Sequence, residues 1–375
     1  MKRPAPHRSW RWWAPQIVVL TIAVALAVAA IGNLTHNLAR RGISLGFAFL
    51  NRPARFPISE SLLPYTPLDA VARAFAASVV NTFVLTVLII VFSTLAAVPL
   101  ALARRSHHPL AATLATALIE LVRNSPLIVQ LLFWYGALTL LLPSPQSAWE
   151  PLPGVFLTGR GVHVTALGIA GSAMPLLATL LAGLGVTAAL AWRGRLRAAS
   201  AAVVATAGLA ILLWAALGLA LANDIPRFER FNYVGGTTLS PEFAAVLIGS
   251  ALYAAAFAAE IMRGGIDAVS TAQWEAGAAV GLSERQTLRL IVMPQALRIM
   301  IPPMTNNFIS ILKNSTLAMV IGFPEANFVA STTINHTGQA LEGVAILIAV
   351  FLILSGLIAV GMGRLNAATA LVGRQ

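Results

Sequence analysis

The sequence predicts an all-α polytopic membrane protein of about eight transmembrane helices, and three observations carry that expectation. Of its 375 residues, 58% are hydrophobic and only 10% charged, against roughly 45–50% and about 25% in soluble domains, and the mean hydropathy is +0.81. The apolar residues fall in repeated runs near the ~17–25 residues that cross a bilayer as helix. Arginines gather in the short connectors between alternate runs, where cytoplasmic flanks carry their positive charge.

The first expected span is residues 14–32, behind MKRPAPHRSWRWW. Basic residues, then aromatics, then an apolar run describe a cytoplasmic flank and an interfacial belt. A cleaved signal peptide is the competing reading; the apolar run exceeds a typical h-region, which favours an uncleaved anchor. Residues 33–75 are polar and hold Arg40, Arg41, Arg52, Arg55 and Arg73, a charge that runs against an external assignment. The second span, 78–103, ends in Arg104-Arg105. Residues 110–142 exceed one untilted span and are interrupted at Arg123-Asn124-Ser125-Pro126. Proline disfavours helix in the residue before it, so an entry helix, a break and a span (127–142) are expected.

Residues 143–161, rich in Pro and Gly, read as loop. Spans follow near 163–192 and 198–222, joined by the basic Trp192–Arg197 connector, and 223–240 reads as loop again. Three further spans are expected at 241–262, 297–322 and 342–362, the last before Arg364. With an even number of spans both termini share a side. Arg104-Arg105, the 192–197 connector, the 263–298 loop and Arg364 all fall on it, which makes it the cytoplasm.

The formal charge of +12 comes from 25 Lys+Arg against 13 Asp+Glu. No basic, aromatic-interleaved soluble segment exists, so nucleic acid is not an expected partner. Without cysteine there is no disulfide, thiolate metal site or Cys nucleophile. The six histidines show no metal-ligand spacing, and no paired-carboxylate or G-x-S-x-G set stands out. No catalytic residue, metal site or cofactor is therefore assigned.

One internal loop is too structured to be a linker: QWEAGAAVGLSERQTLRLIVMPQALR, residues 273–298. Ser270 with Gln273, and Ser283 with Gln286, have capping-box spacing, and Val269 with Trp274 fits a hydrophobic staple. Gly281 is the expected stop between two helices, because glycine tolerates the left-handed C-terminal conformation. Read alone, this helix pair serves equally to dock a soluble partner or to lie on the bilayer surface.

These residues resemble the EAA loop of ABC importer permeases, whose pattern is E-A-A, three residues, G, nine residues, I, one residue, L-P. Here Glu275-Ala276-Gly277 leads to Gly281, then Ile291, then Met293-Pro294, with Gly277 for Ala and Met293 for Leu as departures. The flanks 73–142 and 240–365 resemble the polar amino acid (histidine, glutamine, general L-amino-acid) uptake subfamily; residues 143–240 and the first 72 lie outside that resemblance. It implies a five-helix permease core in two parts, 73–142 and 241–365, with the EAA loop at 263–296 and a two-span insertion at 143–240. Residues 1–72 would be the N-terminal flank, anchor and external loop, and 366–375 the tail.

It further implies a coupling helix presented to a cytoplasmic ATP-binding subunit, with Trp274, Glu275, Ala276, Gly277, Gly281, Ile291 and Pro294 at that contact. The other implied partners are a second permease subunit, of the same or a related chain, and a periplasmic or extracellular amino-acid-binding protein. The implied location is the bacterial inner membrane, with multiple passes and both termini cytoplasmic. The absence of a G-x-x-x-x-G-K-[ST] loop agrees with an energy source outside this chain.

Polar residues inside spans are costly and mark cavities or partners. Glu260 is a candidate for a substrate ammonium, or a partner for Arg263 or another span. Asn306, Asn307, Ser310, Lys313 and Asn314 recur at helical spacing and line either a translocation path or a helix–helix contact. Pro302-Pro303 is expected to kink that span. The rival functional class, a secondary transporter or channel acting without an ATPase, would favour an inverted repeat, and none is visible.

Overall fold

The computed structural model describes residues 10–40, 46–170, 179, 183, 186–187, 196–216 and 220–369. It divides into two compact units: Met1–Ser125 with Ser250–Gln375, and Pro126–Gly249.

In the first unit, α1 (Trp10–Arg40) and α2 (Val71–Arg104) follow the first two apolar runs. α2 ends at the paired arginines, and α3 (Pro109–Asn124) starts with Pro109 in its first turn, where a missing N–H costs nothing. α3 stops before Ser125-Pro126, at the expected break. α6 (Pro241–Asp267) enters this unit at Ser250 and runs past the expected end at 262. Two short helices follow: α7 (Thr271–Ala279) and α8 (Glu284–Thr287). A π turn (Leu288–Val292) feeds α9 (Met293–Asn314), which a 3-10 segment (Ser315–Ile321) closes. α10 (Ala326–Thr337) and α11 (Ala340–Ala368) complete the unit.

α9 runs unbroken through Pro302 and Pro303, so the expected kink does not end the helix. α10 was not expected, because ANFVASTTINHT is too polar to register as a span. Local signals build it: the buried Glu325 carboxylate accepts from the Asn327 and Phe328 N–H groups (2.7 and 2.8 Å), and Gly338 ends the helix at φ 71°.

The core of this unit is built from small residues. Ala97 and Ala101 of α2, Ala256, Ala258 and Ala259 of α6, and Ala296 of α9 are buried together with Ile119, Ile266, Met300 and Met304. Small side chains let helix backbones approach closely where apolar lipid offers no hydrophobic drive to association. Gly265 shows how close: a Cβ there would lie 2.3 Å from Met300 Cγ. Outward-facing Val87, Val91, Phe92 and Leu95 on α2, and Ile348, Leu352 and Ile353 on α11, present the apolar surface a bilayer requires.

The second unit carries α4 (Leu127–Gly136), its π turn (Ala137–Leu141), α5 (Leu196–Ala216) and eight short strands. β1 (Trp149–Leu152), β2 (Val155–Thr158), β3 (Gly161–Val164) and β8 (Thr237–Leu239) form one antiparallel sheet in that order. β4 (Ala166–Ala170) pairs with β5 (Ala220–Asp224), and β6 (Arg227–Glu229) with β7 (Asn232–Val234).

The stretches 143–161 and 223–240, read as loops, therefore carry short strands joined by turns. The span expected from 163 begins in β3 and β4 instead, because hydropathy alone does not separate a short apolar strand from a helix. Most of 171–195, with most of the Trp192–Arg197 connector, lies outside the described residues.

Four of the described helices are long and apolar enough to cross a membrane, and six crossings result if α3–α4 and α8–α9–α10 each count once, against the eight expected.

Candidate coupling loop and polar helix face

α7 projects from the first unit and is pinned at both ends. At its start Val269 is buried and Trp274 half-buried, both packed into the cluster that holds Val292, Ala296 and Met300. The two residues of the expected staple share this cluster, but the capping box expected at Ser270 does not form: Ser270 gives no side-chain cap, and its carbonyl accepts from Gln273 N. The Gln273 amide is engaged elsewhere, its Oε1 accepting from Gln295 Nε2 at 3.3 Å while the same Nε2 donates to Ile291 O at 2.9 Å. The second box does form, with Ser283 N donating to Gln286 Oε1 (2.8 Å) and Gln286 N to Ser283 Oγ (3.4 Å).

At its end α7 stops on Gly281, at φ 79°. Leu282 N donates to Gly277 O and Gly281 N to Ala278 O, both at 3.0 Å, the paired bonds of a Schellman turn. Gly277 itself is buried against Thr287: an added Cβ would lie 2.5 Å from both Thr287 Cγ2 and Oγ1. The departure from Ala at this position thus has a packing reason. What remains outward is Glu275, Ala276, Ala278, Ala279 and Val280, the last 74% exposed.

The π turn before Pro294 also has a local cause. Proline has no N–H to give to the carbonyl one turn back, and the helix widens there, Met293 N–H bonding to Leu288 O. Ile291 lies half-buried within that turn, and Pro294 is exposed in the first turn of α9.

Beside α7 lies an ion cluster. Glu260 Oε2 accepts from Arg104 Nη1 at 2.6 Å, and its Oε1 from Arg263 Nη2 at 2.5 Å. Arg263 Nη1 also donates to Asp267 Oδ2 (2.7 Å), whose Oδ1 accepts from Arg105 Nε (2.8 Å). Arg104 lies 3.7 Å from Glu120 of α3. Arg105 then stands over the Trp274 ring, 5.8 Å from its centroid. Charge therefore links α2, α3 and α6, and the last arginine touches α7.

Both oxygens of Glu260 are taken by guanidinium groups, so the expected pairing with Arg263 is present together with a bond to Arg104 of another helix. Sequence reasoning used Arg104-Arg105 only to mark the cytoplasmic side and did not single out Asp267. Only the i, i+3 and i, i+4 spacing of Glu260, Arg263 and Asp267 hinted at the cluster.

The polar residues of α9 lie well away from α7. Pro294 and Lys313 are nineteen positions apart on one helix, roughly 28 Å by helical rise. Asn306, Ser310 and Lys313 are exposed, and Asn307 and Asn314 half-buried. Ser310 Oγ donates to Asn306 O at 2.9 Å. Among the described residues no carboxylate pairs with Lys313, and the buried Asn307 Nδ2 has no hydrogen-bond partner. The described residues hold no group of three or more metal-ligating side chains.

Comparison with known proteins converges on one family. The profile described as "Binding-protein-dependent transport system inner membrane component" matches residues 89–369. The chain is 36% identical over 374 residues to the putative amino-acid ABC transporter permease protein YhdX of Escherichia coli (strain K12), covering 97% of this chain and 95% of that one. It is 34% identical to the general L-amino acid transport system permease protein AapQ of Rhizobium johnstonii, over 96% and 92% of the two chains. It is 31% identical to the glutamate/glutamine/aspartate/asparagine transport system permease protein BztB of Rhodobacter capsulatus, over 91% and 89%. Matches this long take in residues 143–240 and most of the first 72, which the motif resemblance left out. The chain belongs to the binding-protein-dependent transport system inner membrane components, and is a membrane-spanning permease subunit of an ABC importer.

Proposed function

We propose that this subunit carries L-amino acids across the bacterial inner membrane, with energy from ATP hydrolysed on a separate cytoplasmic subunit that grips α7. The observation that carries the reading is the construction of α7: a short helix with Glu275 and Val280 outward and Trp274 and Gly277 locked inward. Its exposed face is small apart from those two residues, which suits insertion into a cleft, and Glu275 supplies a charge-assisted anchor there. Gly281 sets the turn, and Ile291 and Pro294 join the helix to α9. The amino-acid assignment is supported by the printed names of the relatives, whose substrates range from general L-amino acids to acidic amino acids and their amides.

In this reading the chain performs no chemistry. Closure of the ATPase moves α7 as a rigid body, and the ion cluster passes that displacement to α2 and α6. Asn306, Asn307, Ser310, Lys313 and Asn314 line the path or the seam with a second permease subunit. Lys313, which has no carboxylate partner among the described residues, is suited to a substrate carboxylate, whereas Glu260, the candidate for a substrate ammonium, is held by Arg104 and Arg263. The permease core is 73–142 with 241–365, the insertion is 143–240, and both termini are cytoplasmic. An extracytoplasmic binding protein delivers the substrate.

Reconstitution tests this. Proteoliposomes holding the permease, its ATPase and its binding protein are expected to import amino acids only when all three and ATP are present. Import by the permease alone would overturn the reading in favour of a secondary transporter or channel.

A further inference from the structure

At the opposite end of α2 from the ion cluster lies a cavity of about 420 Å³, lined by Phe49, Arg52, Arg55, Val71, His336 and Gln339 among others. Its floor is apolar: Phe49, Ala54 and Val71 are buried. Its rim is basic, with Arg52, Arg55 and His336 exposed.

The backbone that presents the two arginines is held firmly. Val71 N donates to Arg52 O (2.9 Å), Ala54 N to Asp69 O (2.9 Å) and Arg55 N to Pro67 O (2.8 Å), and Pro53 bridges to Ala70. Arg55 is one of only two non-glycine residues with positive φ among the described residues, at 61°. A bulky side chain held there is costly, and such strain persists where surrounding structure imposes it, often at ligand sites.

Among the described residues no carboxylate neutralises this rim: neither guanidinium has one within ion-pair distance. The nearby acids are engaged elsewhere: Glu342 accepts from Gly46 N at 2.7 Å, and Asp69 from Thr66 N at 2.7 Å, with Arg73 3.9 Å away. Arginine is suited to planar, bidentate recognition of a carboxylate. An apolar floor below a doubly basic rim suits an anion with a short aliphatic body.

We propose that this cavity is a binding site for a small free carboxylate, held by Arg52 and Arg55 over the Phe49–Val71 floor, separate from both α7 and the polar face of α9. An acidic amino acid has the right size and charge.

The test uses the full chain in lipid nanodiscs, with glutarate as probe and calorimetric titration as readout, and L-glutamate and inorganic phosphate as competitors. Saturable glutarate binding is expected, displaced by L-glutamate, and weakened at least about tenfold in each of Arg52→Gln and Arg55→Gln. Arg55→Gly removes the guanidinium while relieving the backbone, so it must lose binding even where it raises thermal stability. Absence of saturable binding, or unchanged binding in the double Arg→Gln variant, would overturn the proposal. Displacement by phosphate at lower concentration than by L-glutamate would reassign the site to phosphate headgroups and overturn the carboxylate assignment.

Discussion

Gly277 and Thr287 touch so closely that no methyl group fits between them: a Cβ on Gly277 would lie 2.5 Å from Thr287 Cγ2. The contact seats α7 on the helix that follows it. Gly277→Ala is therefore expected to destabilise the loop by about 1–3 kcal/mol through overpacking. Thr287→Ala in the same chain removes both crowding atoms and should restore most of the loss. Thermal unfolding of the single and double variants checks this, and additive losses would contradict it.

Gly281 makes a different prediction, because no atom lies within 4 Å of an added Cβ and only its φ of 79° is at issue. Gly281→Ala should cost about 1–2 kcal/mol, the left-handed penalty of an L-residue, while Gly281→Asn should cost less. Limited proteolysis at residues 280–283 reads the difference, Ala opening the loop and Asn leaving it nearly closed.

Arg104 and Glu260 form a charge-assisted hydrogen bond across two helices. A double-mutant cycle with Arg104→Gln and Glu260→Gln is expected to give a coupling energy of about 1–3 kcal/mol. The same cycle between Arg105 and Asp267 should be smaller, since that pair is more exposed. Equal values would mean that burial does not set their strength.

His163 predicts a pH dependence confined to the sheet. It is buried between Thr158 and Thr238, at 3.2 and 3.0 Å, and stacked on Tyr233. Burial pushes its pKa below the ordinary 6.5. The unfolded sheet then binds the proton more readily than the folded one. Its contribution to stability is complete above about pH 6.5 and is lost as pH falls towards the folded value. Protection factors in 155–164 and 237–239, with the intrinsic pH dependence of exchange divided out, should fall between pH 7.5 and 5.5, and His163→Gln should flatten that response.

Much of this was legible in the sequence, for identifiable reasons. The hydropathy runs located α1, α2, α6 and α11 because lipid-facing helices must be apolar along their length. Gly281 and Ser283 announced the helical turn because their chemistry is local. Ser270 misled because Gln295 competes for the Gln273 amide, a partner 22 residues away that spacing cannot reveal. The strands from 149 to 164 were hidden because four-residue alternation is lost in windows tuned to spans. The Glu260–Arg263 half of the ion cluster was visible as local spacing, but its link to Arg104 was not, because that bond spans 156 positions.

The central claim is that α7 couples ATP hydrolysis to movement of the permease, and the most direct measurement is the ratio of amino acid imported to ATP hydrolysed in reconstituted vesicles. For Glu275→Ala, with the complex still assembled, import should fall at least about tenfold, the loss of one charge-assisted contact, and hydrolysis should no longer respond to loaded binding protein. A variant that imports at the wild-type rate with the wild-type ratio would contradict the account.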